Sequence, residues 1–369
     1  MSELILDGSK ILWHQERLKL WNEGKRFAPI TIDMALTQAC QYNCEFCYAK
    51  MQQNKPHKIT LEIMTNFLDD AAEIGVKGIS LVSDGESTAN PIYSDVIVYG
   101  HNKGISMALA SHGHTLTEEV LRKILPCLTY LRFNFSAGEP KRYSEIMGVP
   151  QEYFHDVCSN IQMAMRIKKE QNLKVTIGMQ MVTMPEYGDQ IIPLAKLGKK
   201  LRPDYLVLKH CSDDENGSLG VNYKDYEKIY SLLEEAESFS DKEYLVKAKW
   251  SKIKSGGSRS YSRCHGPAFH LQMSGSGLIA PCGSFFNKKY SKYHIANITD
   301  TNVRLKDIVF SDRYWEVMEL LSSKEFDAKT MCETLCLQHK SNEILDAFKK
   351  NKISLNKPRG DVPQHLNFI

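Results

Sequence analysis

The chain has 369 residues, 42% of them hydrophobic and 25% charged, with a formal net charge of +3 at pH 7. That length holds one large core or two domains, and so small a charge excess gives no electrostatic case for nucleic acid or an anionic membrane. No stretch reaches the ~18 apolar residues of a membrane span, and Met1-Ser2-Glu3-Leu4-Ile5-Leu6-Asp7 lacks the basic-then-apolar order of a secretory signal. Ten cysteines in such a chain argue for metal or redox chemistry in a reducing compartment, so a cytoplasmic protein is expected.

Residues 1–27 read as an N-terminal extension. Residues 30–36 are strand-like and lead directly into Cys40, Cys44 and Cys47, a Cys-x3-Cys-x2-Cys triplet. Three thiolates can hold three irons of a 4Fe–4S cube and leave the fourth open to a ligand, whereas an electron-carrying ferredoxin normally ligates all four. Structural zinc usually takes four ligands in paired sets, which a lone triplet suits poorly. A helix fits residues 61–74, with Ile63, Phe67, Ala71 and Ile74 at near-helical spacing and Gly75 as the stop. An apolar run, 78–82, then ends at Ser83-Asp84-Gly85-Glu86-Ser87.

The alternation continues. Helical 93–103 precedes strand-like 106–111, helical 118–125 precedes 130–136, helical 156–171 precedes 174–182, and helical 191–201 precedes 205–210. About six β–α repeats imply a parallel sheet with helices outside. Curled, such a sheet places its site at the C-terminal strand ends. Cys40, Asp84, Ser111, Ser136, Val182 and His210 all fall at or just beyond those ends.

The triplet, with Phe46 before its last cysteine, resembles that of the radical S-adenosylmethionine (SAM) superfamily, and Asp84-Gly85-Glu86 resembles that family's Gly-Gly-Glu. The resemblance covers roughly residues 28–212. It implies a (β/α)6 partial TIM barrel, a cluster whose open iron chelates SAM, and reductive cleavage of SAM to a 5′-deoxyadenosyl radical. It further implies that Phe46 contacts the adenine, that Gly85 and Glu86 bind the SAM amino group, and that Ser136 and, more loosely, Gln180 contact SAM. Asp84 replaces the first glycine, which leaves the backbone contact at that position in doubt. The bland alternative for Ser136 and Gln180 is an ordinary strand-end hydrogen bond. A low-potential donor such as flavodoxin or ferredoxin is the implied electron source.

Residues 213–260 read as a linker with an amphipathic helix over 225–237 and a flexible Gly/Ser joint near 254–260. Beyond it, residues 261–345 carry Cys264, Cys282, Cys332 and Cys336. A hairpin is expected from 268–273 and 277–280. Cys332 and Cys336 would lie one turn apart if their segment is helical. The set resembles the twitch domain, the short form of the SPASM domain, which implies one auxiliary 4Fe–4S cluster, with structural zinc as the alternative. The tail, 346–369, is polar and basic and ends in Leu366-Asn367-Phe368-Ile369; it either docks or stays loose. Cys127 and Cys158 read as packing residues.

Cys211 follows the sixth strand, and its readings are packing, a hydrogen-atom donor or a fifth cluster contact. His112, His114, Lys209 and His210 lie where substrate should sit, and each is a candidate base or a hydrogen-bonded structural residue. The leading expectation is oxidation of a small polar substrate, such as a sugar or aminocyclitol derivative, with the auxiliary cluster taking an electron. The second is peptide maturation or epimerisation with Cys211 as donor. A small molecule is expected over a peptide because only about 30 residues precede the first core strand, too few for an independent recognition domain. The alternative of another class is an iron–sulfur or zinc module that senses redox state.

Overall fold

The computed structural model describes residues 4–5, 7–52, 58–214, 216–332 and 336–369. Ten strands form one sheet: β1 Thr31–Met34, β2 Gly78–Leu81, β3 Ser106–Ser111, β4 Leu128–Asn134, β5 Thr176–Thr183, β6 Tyr205–His210, β7 Leu245–Ala248, β8 His270–Met273, β9 Leu278–Ala280 and β10 Ala296–Asn297. Their order is β10-β9-β8-β1-β2-β3-β4-β5-β6-β7. The first six strands are parallel neighbours, as the β–α alternation predicts.

The parallel run is longer than six. β7 adds to β6 inside the segment expected as linker and helix. β8, the first strand of the expected hairpin, adds to β1 in parallel, and β9 turns back antiparallel against it. The C-terminal part therefore continues the barrel sheet instead of standing beside it. The helix expected over 225–237 starts as a tight 3-10 stretch, Tyr223–Ile229, and relaxes to α only over Tyr230–Glu237.

Alternation along the strands sorts the side chains. Ile32, Met34, Leu131, Phe133, Met179 and Leu206 are fully buried in the main apolar cluster with the covering helices. Their neighbours Asp33, Arg132, Asn134, Gln180 and Tyr205 face the interior cavity. The inside of this barrel is thus polar, and the apolar core lies between sheet and helices.

The tail docks. It crosses the first residues of β1 to β3: Thr31 Oγ1 donates to the Asn367 carbonyl at 2.7 Å, and Asn367 Nδ2 bonds Ser106 Oγ at 2.9 Å. Phe368 meets Tyr130 edge-on at 5.0 Å. Lys10 in the N-terminal extension donates to the His365 carbonyl at 3.0 Å. Extension and tail together floor the barrel.

A fork joins the two halves on the outside. Arg304 donates through Nε and Nη2 to the buried Asp70 carboxylate, at 2.9 and 2.6 Å, on helix Leu61–Glu73. Arg304→Ala should lower the urea midpoint with little change in slope. Water can reach the vacated rim, so the expected cost is about 1–2 kcal/mol, below the roughly 3–5 of a sealed pair. An unchanged midpoint would show that the fork contributes nothing.

Candidate functional site

The loop after β1 carries Cys40, Cys44 and Cys47 to the C-terminal mouth of the barrel, and all three line a cavity of about 590 Å³. That volume suits a cofactor or small-ligand site. Helix Pro140–Met147 clamps the loop: Asn43 N–H donates to the Met147 carbonyl at 3.2 Å and Glu45 N–H to Ile146 at 3.0 Å. Tyr42 adds a hydroxyl contact to Tyr143 at 3.1 Å and stacks on His112 at 4.1 Å, 3° from parallel.

None of the ten cysteines is disulfide-bonded. Burial raises the Cys40 thiol to about 11, with Glu86 and Cys47 adding to the rise. Burial, then Cys47 and Cys40, push Cys44 higher still. Thiols that hinder one another's ionisation suit a cationic centre, which reverses that penalty. The donor set therefore fits an iron–sulfur cluster. Among the described residues, no three Cys, His, Asp or Glu side chains are drawn together to hold a single metal ion.

The strand-end motif is built around its glycine. Gly85 has φ +85°, and a Cβ there would lie 2.2 Å from the Thr37 carbonyl oxygen, so no other residue fits without moving the loop. Glu86 N–H donates to the Ala39 carbonyl at 2.9 Å, which ties the motif to the cysteine loop. The Glu86 carboxylate accepts from Thr88 N–H, Thr88 Oγ1 and His112 N–H at 3.1, 2.8 and 3.0 Å, yet still lines the cavity. Asp84 does not imitate a glycine. Its carboxylate accepts from Ser274 Oγ at 2.6 Å, Gly275 N–H at 2.8 Å and Gln38 Nε2 at 3.0 Å. It thereby fastens the β8–β9 turn to the motif.

The other expected positions divide. Phe46 and Gln180 line the cavity, and Gln180 Nε2 reaches Asn134 Oδ1 at 3.3 Å. Ser136 is buried, its Oγ accepts from Val182 N–H at 3.2 Å, and it is not part of the cavity wall. His112 is held by its neighbours on both ring nitrogens. Its Nδ1 accepts from His114 N–H, its Nε2 meets Gln41 Oε1 at 3.1 Å, and burial lowers its pKa. His114 stacks on Tyr153 at 3.6 Å and faces Asp156 at the rim.

Lys209, His210 and Cys211 all line the cavity. His210 is 1% exposed, and neither ring nitrogen has a hydrogen-bond partner among the described residues. Burial first, then Lys252, Lys209 and Lys249, hold it well below the usual histidine range. Cys211 is also 1% exposed, with its sulfur 3.9 Å from the Phe46 carbonyl.

The second thiol set lies behind the same wall. Burial, then Cys336 and Cys282, raise the Cys264 thiol, which places these three in electrostatic reach of one another. Arg259 Nη2 lies 3.4 Å from Cys332 Sγ, and Asn342 Nδ2 lies 3.5 Å from Cys264 Sγ and 3.7 Å from Cys336 Sγ. Such donors tune an iron–sulfur centre. Asn342 stands in helix His339–Lys349, and no sequence motif marks it. Helicity between Cys332 and Cys336 falls on residues 333–335, outside the described residues; the next helix begins at His339.

A family model of the radical SAM superfamily matches residues 34–197. The chain is 28% identical over 125 residues to an AdoMet-dependent heme synthase of Methanosarcina barkeri, a match over 33% of this chain and 36% of that protein. The chain thus spans about a third of that relative's length. Its fold is similar to Streptococcus suis SuiB bound to S-adenosylmethionine, with TM-score 0.63 and 14% identity over 82% of this chain and 71% of that one. It is also similar to anSMEcpe with bound AdoMet, with TM-score 0.58 and 13% identity over 87% and 97%.

Proposed function

The chain carries a radical SAM domain over residues 34–197, and we propose that it dehydrogenates a small polar substrate, such as a sugar or aminocyclitol derivative. Cys40, Cys44 and Cys47 would hold a 4Fe–4S cluster, which when bound would supply the electron for reductive cleavage of SAM to methionine and a 5′-deoxyadenosyl radical. Gly85 and Glu86 hold the SAM amino group, Phe46 covers the adenine, and Gln180 positions the remainder. The substrate, bound in the cavity, gives a hydrogen atom to that radical. His210 would accept the substrate's proton, with Lys209 beside it, and Cys264, Cys282, Cys332 and Cys336 would hold a second cluster able to take up an electron. A cytoplasmic flavodoxin or ferredoxin is the proposed electron source.

One observation carries this reading: the wall between cavity and second thiol set is a single layer of side chains. Gln272 lines the cavity while its Oε1 accepts from Gly283 N–H, next to Cys282. Gln338 lines it too, and its Nε2 reaches the Pro281 carbonyl at 3.4 Å. Gln272 and Gln338 thus touch both the cavity and the segment that carries Cys282. With reductant and SAM under anaerobic conditions, the protein should release 5′-deoxyadenosine. No release would leave a binding or redox-sensing module.

The burial of Cys211 against the Phe46 carbonyl favours a second reading, hydrogen-atom donation in an epimerase. Cys211→Ala separates the two. An epimerase should lose product formation while deoxyadenosine release continues. A dehydrogenase should keep turnover and lose only packing, on the order of 1 kcal/mol.

A further inference from the structure

Below the proposed SAM level, the cavity is lined by cations. Arg132 and Asn134 share one face of β4, and Arg132 lies two residues, roughly 7 Å, nearer the floor. Opposite Arg132 in the register is Gly178, where a Cβ would strike the Tyr205 ring at 2.1 Å. The missing side chain makes room for the Tyr205 ring, and the Arg132 guanidinium lies 5.9 Å from the centroid of the Tyr130 ring. Lys249, just past β7, extends the sheet by donating its N–H to the Leu208 carbonyl at 2.9 Å. Lys10 enters from the N-terminal extension and is 3% exposed.

Among the described residues, none of the side-chain carboxylates lining the cavity pairs with Arg132 or Lys249, although Asp7 lies in electrostatic reach of Lys10. Asp33 faces His270 at 2.9 Å, Asp7 accepts from Ser9 N–H, and Glu86 is taken up at the mouth. Among the described residues, Arg132 Nε and His365 Nε2 there also lack hydrogen-bond partners. Buried like charges without a counter-ion are costly. Burial, then Lys252, Lys209, Arg132 and Lys10, hold Lys249 well below the usual lysine range. Burial brings Lys10 to about 8.

We propose that Arg132, Lys249 and Lys10 form an anion subsite that grips a carboxylate or phosphate of the substrate and leaves its reacting carbon toward the cysteine loop. The subsite rests on the reading of this cavity as the substrate chamber. An arginine fork matches either oxyanion in bidentate fashion. The occupant supplies Arg132 and Lys249 with the negative charge that no cavity-lining side chain among the described residues brings to them. The substrate is thus an acidic small molecule, not a neutral sugar.

The test is calorimetric titration of SAM-saturated holoenzyme with inorganic phosphate and, separately, with succinate, at fixed ionic strength. Wild type should give saturable binding of at least one. Preference for phosphate marks a phosphorylated substrate and preference for succinate a carboxylic one; either supports the subsite. Arg132→Gln and Lys249→Gln should each weaken binding about tenfold or more, and Lys249→Arg should restore it, which a misfolded variant would not show. No saturable binding of either anion, equal affinity in the glutamine variants, or binding that SAM abolishes would overturn the proposal. Deoxyadenosine release by the wild-type protein is read separately, so failure of the radical reading is told apart from failure of the anion subsite.

Discussion

Replacing Cys40, Cys44 and Cys47 together with alanine is expected to remove about four irons per chain and to abolish SAM cleavage. The three thiols stand on one loop and line one cavity, and Cys47 adds to the raised pKa of Cys40 and Cys44. The loop's anchors, Asn43 and Glu45 on helix Pro140–Met147 and Tyr42 on His112, do not use the thiols. The variant should therefore fold, and its far-ultraviolet circular dichroism should match wild type. Iron analysis and deoxyadenosine chromatography check the result. Undiminished cleavage would remove the SAM site from this loop.

The second large effect concerns Cys264, Cys282, Cys332 and Cys336. The triple variant above should still contain iron and acid-labile sulfide, held by this set. Zinc without sulfide would make the C-terminal part a structural module. These cysteines border an apolar cluster with Tyr261, Phe285, Phe286 and Phe326, so removing all four risks unfolding. Asn342→Ala is the gentler probe. It deletes the donor near Cys264 and Cys336, and hydrogen bonds to cluster sulfurs help set the potential. The second centre's reduction potential should fall, because less donation destabilises the more negative, reduced state. Substrate oxidation should slow while SAM cleavage persists. An unchanged potential would show that the amide does not face a cluster.

Much of this site is legible in the sequence because its chemistry is local. The cysteine triplet, Gly85, Glu86 and Cys211 sit at strand ends that hydrophobic alternation locates, and the C-terminal side of a parallel sheet converges on one mouth. What stayed hidden depends on long-range pairing. β7 is four residues, Leu-Val-Lys-Ala, with too little period to announce itself, and only its parallel partner β6 makes it a strand. Asp84 reads as a departure from a family motif, but its function is set by Ser274 and Gly275, far along the chain. Arg132 looks like a solvent-facing strand residue until the barrel curls and the tail closes the floor. Helix Pro140–Met147 was findable: Pro140 at its first position and Gly148 at its end are ordinary boundary signals.

Cys40, Cys44 and Cys47 are expected to leave one iron open for SAM, and the second set to leave none. Electron paramagnetic resonance of the anaerobically reduced protein, with and without SAM, tests this most directly. SAM should shift the signal of one cluster and leave the other unchanged, and the shift should vanish in the triple alanine variant. A reduced spectrum that SAM does not alter, or an alteration that survives loss of Cys40, Cys44 and Cys47, would contradict the account.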